Sequence, residues 1–242
     1  DANTGVGVDV FAALTQGDSN VAIGNAAMNA TTTGTDNVAV GRSALLAQTT
    51  GGDNVAIGHL ALSTLTTAGN NVAVGDRAMQ ASTSGENNVA VGTLAMDANT
   101  TGGSNVGVGR DALGANTTGS NNTAVGKSAL NTTTTSDNNT GVGFQALYTL
   151  NGGVSNAALG HNALFNGTTC DNNTAVGKSA MENITSGSKN VAVGTNALDA
   201  ATTADDNTAV GYEALGANTS GTDNVAVGQA ALDANTTGNL NT

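Results

Sequence analysis

Apolar and polar positions along this chain recur together every seventeen residues, so the repeat unit has to be read before any single residue. We number the columns of the repeat from its recurring Asn. That Asn stands at 3, 20, 37, 54, 71, 88, 105, 122, 139, 156, 173, 190, 207 and 224, with no insertion or deletion between copies. Column three is only Ala or Gly, column four is always Val, Ile or Leu, and column five is always Gly. Column eight is Ala except at Val10, column nine is Leu, Met or Phe11, and column thirteen is Thr except at Asn151. Residues 3–240 make fourteen full copies.

Columns one to five predict a short strand, with small and branched residues alternating between a bounding Asn and Gly. Columns two and four, such as Val72 and Val74, share one face, and column three, such as Ala73, takes the other. No copy carries a charge on either face, the pattern of a strand covered on both sides. The larger residues of column four are expected inside the coil. Ala22, Ala39, Ala56, Ala73, Ala90, Ala124, Ala192 and Ala226 are then expected to face another chain. Columns eight and nine drop one small and one large side chain into the core, from either a second short strand or a single helical turn. Asn20, Asn37, Asn54, Asn71, Asn88 and their counterparts are expected to form a side-chain ladder at the turn. The Gly of column five fits a turn with positive φ or a close backbone approach.

The fold class predicted is therefore all-β: one parallel β-solenoid of fourteen coils, spanning residues 1–242 as a single repeat domain. A lone coil buries too little apolar surface to offset the entropy of ordering its backbone. Stability must come from contacts between neighbouring coils. With no initiator Met, signal segment or capping element, the chain is expected to be a mature product or a segment of a longer fibre.

Composition narrows the function. Only 10% of residues are charged and the net charge is −12, which argues against nucleic acid. No run of apolar residues is long enough to span a membrane as a helix. Apart from Asp1, every Asp, Glu, Lys and Arg falls in columns six, seven, ten, sixteen or seventeen, so those columns are the solvated corners. The single Cys170 stands in a column usually held by Gly and has no organised His and acid beside it. No catalytic, cofactor or metal constellation emerges. Asp36, Asp53, Asp206 and Asp223 share column seventeen, but most copies carry Asn, Ser or Lys189 there, too few oxygens for calcium.

One local departure stands out. Phe144, Tyr148, His161 and Phe165 occupy solvent columns of two consecutive copies. Tyr148 and Phe165 share column ten, one strand spacing apart. Such a pair is a candidate platform for a sugar ring or a partner.

The cores Asn20-Val-Ala-Ile-Gly24 and Asn37-Val-Ala-Val-Gly41 resemble the head repeats of trimeric autotransporter adhesins. The longer string Asn207-Thr-Ala-Val-Gly-Tyr-Glu-Ala-Leu215, followed by Asn218-Thr-Ser-Gly221, is similar to repeat regions of phage tail-fibre and bacterial surface proteins. The resemblance covers every copy, although adhesin heads have a shorter period. It implies a left-handed β-roll, association as trimers and an extracellular setting; the uncapped ends add end-to-end filaments as the alternative assembly, and the aromatic pair adds surface glycans as candidate ligands. The expected function is a non-enzymatic structural or adhesive fibre subunit. The rival is an ice-binding solenoid that uses Thr columns two, thirteen and fourteen. In that ladder column two is Val more often than Thr, and column eleven is mostly Ala.

Overall fold

The computed structural model describes residues 2–242. The protein is an all-β parallel solenoid with no helix among the described residues, in two compact units, Asp1–Asn121 and Asn122–Thr242. The first unit carries seven three-residue strands, β1 (Thr4–Val6) through β7 (Val106–Val108). The second carries seven more, β8 (Thr123–Val125) through β14 (Val225–Val227). Within each unit the strands run in chain order and pair in parallel. Val38 pairs with Val55, Ala39 with Ala56 and Val40 with Ile57. The pairing offset equals the sequence period, so every column stacks on itself.

The expected orientation of the strand is reversed. Ala22, Ala39, Ala56, Ala73, Ala90, Ala124, Ala192 and Ala226 are buried inside their own coils rather than facing a partner. Columns two and four point outward, half-buried or exposed, as in the strand Val55–Ile57. Steric fit within the coil accounts for this. The interior is already filled by the large residues of column nine, such as Leu45, Leu62 and Met79, all fully buried. A Cβ added to Gly107 in column three would lie 2.9 Å from Cγ of Met96, and one added to Gly141 would lie 3.4 Å from Leu130 Cδ1. At Gly107 even a methyl group would require Met96 to shift, and at Gly141 a methyl group would already touch Leu130. A Val there would overpack the interior.

The segment after the strand is neither a second strand nor a helical turn. In every coil the residues of columns seven, nine and seventeen have left-handed backbone, as at Ser43 (φ 58°), Leu45 (φ 49°) and Asp36 (φ 57°). β-Branched residues are strongly disfavoured at positive φ. Val, Ile and Thr, common elsewhere in the chain, never occur in those three columns. Column nine is Leu, Met or Phe11 because it must be large, apolar and unbranched at Cβ.

Backbone groups of this irregular segment are satisfied by the adjoining coils. Leu45 N–H donates to the carbonyl of Ala61 at 3.1 Å, and Thr49 N–H to that of Thr66 at 2.8 Å. The glycine of column five permits the close stacking. Gly41 has φ +136°, and a Cβ there would sit 2.5 Å from the carbonyl oxygen of Gly58. Any side chain would push the coils apart.

The Asn ladder holds each coil closed and ties it to both neighbours. Asn37 Nδ2 donates to Gly51 O of its own coil at 2.9 Å and to Asn20 Oδ1 of the preceding one at 3.1 Å. Its own Oδ1 accepts from the backbone N–H and side-chain amide of Asn54, at 3.0 and 3.1 Å. Asn37 is fully buried, so no water substitutes for these partners. Column one tolerates nothing but a primary amide of this length.

Candidate assembly face

Three surfaces carry side chains not fully used in holding the fold. The first is the outward strand face. Columns two and four form two parallel ranks in each unit, of Val, Ile and Thr4 in the first and of Val, Thr, Ala157 and Leu159 in the second, one residue of each rank per coil. Ile57 is 40% exposed and Leu159 is 51% exposed. No charged side chain interrupts either rank. A flat, continuous, uncharged ladder of β-branched residues is the surface that parallel sheets normally cover.

The second surface is the aromatic group of the second unit. Phe144 and His161 stack with ring centroids 5.2 Å apart and planes inclined by 25°. Tyr148 and Phe165 also stack at 5.2 Å, with planes inclined by 5°. The Lys127 ammonium lies 5.8 Å from the centroid of Phe144, within cation–π range. The four aromatic candidates are thus brought together as two column stacks, and Phe144 stays 40% exposed. Much of their ring surface is engaged by their own neighbours.

The third surface is an open acidic groove lined by Asp199, Glu213, Gly216, Ala217 and Asp233. Partial burial holds the Asp199 carboxyl above its usual range, helped by the negative charges of Glu182 and Glu213. Among the described residues, no group of three His, Cys, Asp or Glu is placed to hold a metal ion. Cys170 is buried, and that burial pushes its thiol up to about 12. At neutral pH it is a small core residue, its carbonyl accepting from Asn156 Nδ2 at 2.7 Å.

Column thirteen has a structural use that the sequence left open. Thr32 Oγ1 donates to Thr49 O at 3.1 Å, and Thr100 Oγ1 to Thr117 O at 2.9 Å. Each hydroxyl is a rung between coils. In column six, His59 Nδ1 lies 2.9 Å from Asp76 Oδ1 while its Nε2 meets the Arg42 guanidinium. Because Arg only donates, His59 accepts at Nε2 and donates from Nδ1. Asp76, bonded also by Arg77 at 3.2 Å, has its carboxyl held below the usual range by these two donors.

No model of a known protein family matches the chain, and no curated protein matches it. Of the three surfaces, the outward strand face alone recurs in every coil of both units.

Proposed function

We propose that this chain is a non-enzymatic structural subunit of an extracellular fibre, and that copies associate laterally through the outward faces of their strands. The observation that carries the reading is the pair of ranks in columns two and four, uncharged in every coil and apolar throughout column four, on a chain of net charge −12. Facing ladders with the same strand spacing can interdigitate like the dry interfaces of stacked sheets. The stacked coils supply length and stiffness, and the lateral contacts cover the outward strand face.

Ice binding is less well supported. It needs ranks of Thr hydroxyls free to meet water, yet those of column thirteen donate to carbonyls of the next coil. Column two places Thr on adjacent coils at Thr123 and Thr140, but Ala157 follows.

Light scattering after size exclusion tests the proposal. Micromolar protein should elute as a dimer or larger species, and Val72→Asp should convert it to a monomer with unchanged circular dichroism. A wild-type chain that stays monomeric at every concentration would overturn it.

A further inference from the structure

Three departures from the repeat meet where the coil that begins at Asn139 stacks on the coil before it. Asn151 is the one residue of column thirteen that is not Thr, and Gly152 is the one glycine of column fourteen. Ser136, in the preceding coil, is the one hydroxyl of column fifteen. Thr134 Oγ1 donates to Asn151 Oδ1 at 2.7 Å. Gly152 N–H donates to Ser136 Oγ at 2.8 Å. Asn151 and Gly152 are both exposed. A Cβ at Gly152 would meet nothing closer than Thr169 Cγ2 at 3.7 Å, so the space beside this peptide bond is open to water.

We propose that Asn151 is a site of spontaneous self-modification, in which the backbone nitrogen of Gly152 displaces the side-chain amide and leaves aspartate or isoaspartate at 151. Gly152 N forms a bond to Asn151 Cγ and closes a five-membered succinimide ring. The Cγ–Nδ2 bond breaks, and Nδ2 departs as ammonia with the proton that Gly152 gives up. Water adding at Cγ then restores the original main chain as aspartate. Water adding at the main-chain carbonyl carbon of residue 151 leaves the chain running through the side chain as isoaspartate. Water is the only co-reactant.

The two hydrogen bonds fall on the two groups whose charge changes. As the ring closes, negative charge grows on Oδ1, where the Thr134 hydroxyl already donates. A donor placed beforehand stabilises that charge without reorganising. The Gly152 proton points at Ser136 Oγ, so its departure begins along an existing hydrogen bond. Both partners belong to one neighbouring coil, which holds the amide and the attacking nitrogen in a fixed relation. Gly152 adds no side chain to shield the amide under attack.

The chain supplies its own comparison. Asn166-Gly167 is the only other Asn-Gly pair. Gly167 is buried, and its N–H donates to Leu164 O of the same coil at 3.4 Å. Asn166 Nδ2 donates to Asn183 Oδ1 at 3.1 Å. The same two residues are enclosed there and open at 151.

The test incubates the full chain at neutral pH and body temperature and follows both asparagines by peptide mass spectrometry. In the folded chain Asn151 should convert about tenfold faster than Asn166, and in urea the two rates should converge. Thr134→Val should slow Asn151 about tenfold, the effect of one exposed donor on a developing oxyanion, and Thr134→Ser should restore the rate. Ser136→Ala, which introduces the residue that Ala68 and Ala204 hold in that column, should also slow it. Unchanged circular dichroism checks the fold of each variant. Equal conversion of Asn151 and Asn166 in the folded chain would overturn the proposal, as would a folded Thr134→Val chain that converts at the wild-type rate.

Discussion

Asn54 Oδ1 accepts two hydrogen bonds from Asn71, one from its backbone N–H at 3.1 Å and one from its side-chain amide at 3.3 Å. Asn54 Nδ2 in turn donates to Ala68 O, which closes its own coil. One buried amide therefore joins three coils. Asn54→Ala leaves the Asn71 donors and the Ala68 carbonyl without this partner, at about 1–3 kcal/mol for each buried group orphaned. The expected loss is about 2–4 kcal/mol, read as a lower urea midpoint. The exposed Thr33→Ala should stay within about 0.5 kcal/mol of wild type. If the two variants melted alike, the ladder would not be the structural tie described here.

Column nine makes a sharper demand on shape than on volume. Leu113 is fully buried with φ 51°. Leu113→Met should be nearly neutral, since Met occupies the same column at Met79 and Met96. Leu113→Ile keeps the volume but puts a branched Cβ at positive φ, a strain of about 1–3 kcal/mol. Thermal denaturation of the two variants distinguishes them. An Ile variant as stable as the Met variant would contradict the left-handed assignment.

Strand orientation separates folding from assembly. Ala73 is fully buried between half-exposed Val72 and Val74. Ala73→Asp places a carboxylate in the narrow interior with no cation beside it and should abolish the folded circular dichroism. An Ala73→Asp chain that folds but fails to assemble would mean that the alanine rank, not the valine ranks, faces the partner.

Stability should respond to pH at Asp199. Its carboxyl is held above the normal range, first by burial and then by Glu182 and Glu213, so the folded state binds its proton more tightly than the unfolded chain does. That favourable contribution is complete below the unfolded aspartate pKa of about 3.9. It is lost as pH rises through the folded value. Asp199→Asn should therefore raise the melting temperature slightly at pH 7, by under about 0.5 kcal/mol of stability. The gain should vanish near pH 3. A gain that persisted there would point to a cause other than ionisation.

The period, the strand, the amide ladder and the core role of columns eight and nine were legible in the sequence, because each rests on a column held by one residue or by a narrow class of residues. Strand orientation was not. The uncharged state of both faces hid it, and the ordinary preference for burying Val before Ala pointed the wrong way. What decided it was the length of the column-nine side chain, as at Met96 facing Gly107, a relation between residues far apart in the repeat. The turn could have been read. Columns seven, nine and seventeen exclude Val, Ile and Thr throughout, which is the signature of positive φ. Of the aromatic group, the pairing of Tyr148 with Phe165 followed from their shared column. The cation over Phe144 lay one coil back at Lys127 and drew no notice among the other corner residues.

The missing side chain at Gly58 lets the carbonyl of Gly75 approach within 2.2 Å of where a Cβ would be, and the same seat recurs at Gly75 and Gly92. Joins of this kind within a unit are thus interchangeable with one another. Excising Asn71–Asn87 would set Asn88 upon Asn70 with the same contacts that Asn71 now makes. Unequal recombination between copies can add or remove whole rungs without leaving a scar. Length within a unit can thus change only in whole steps of seventeen residues, each step carrying one complete set of the amide, glycine and core positions.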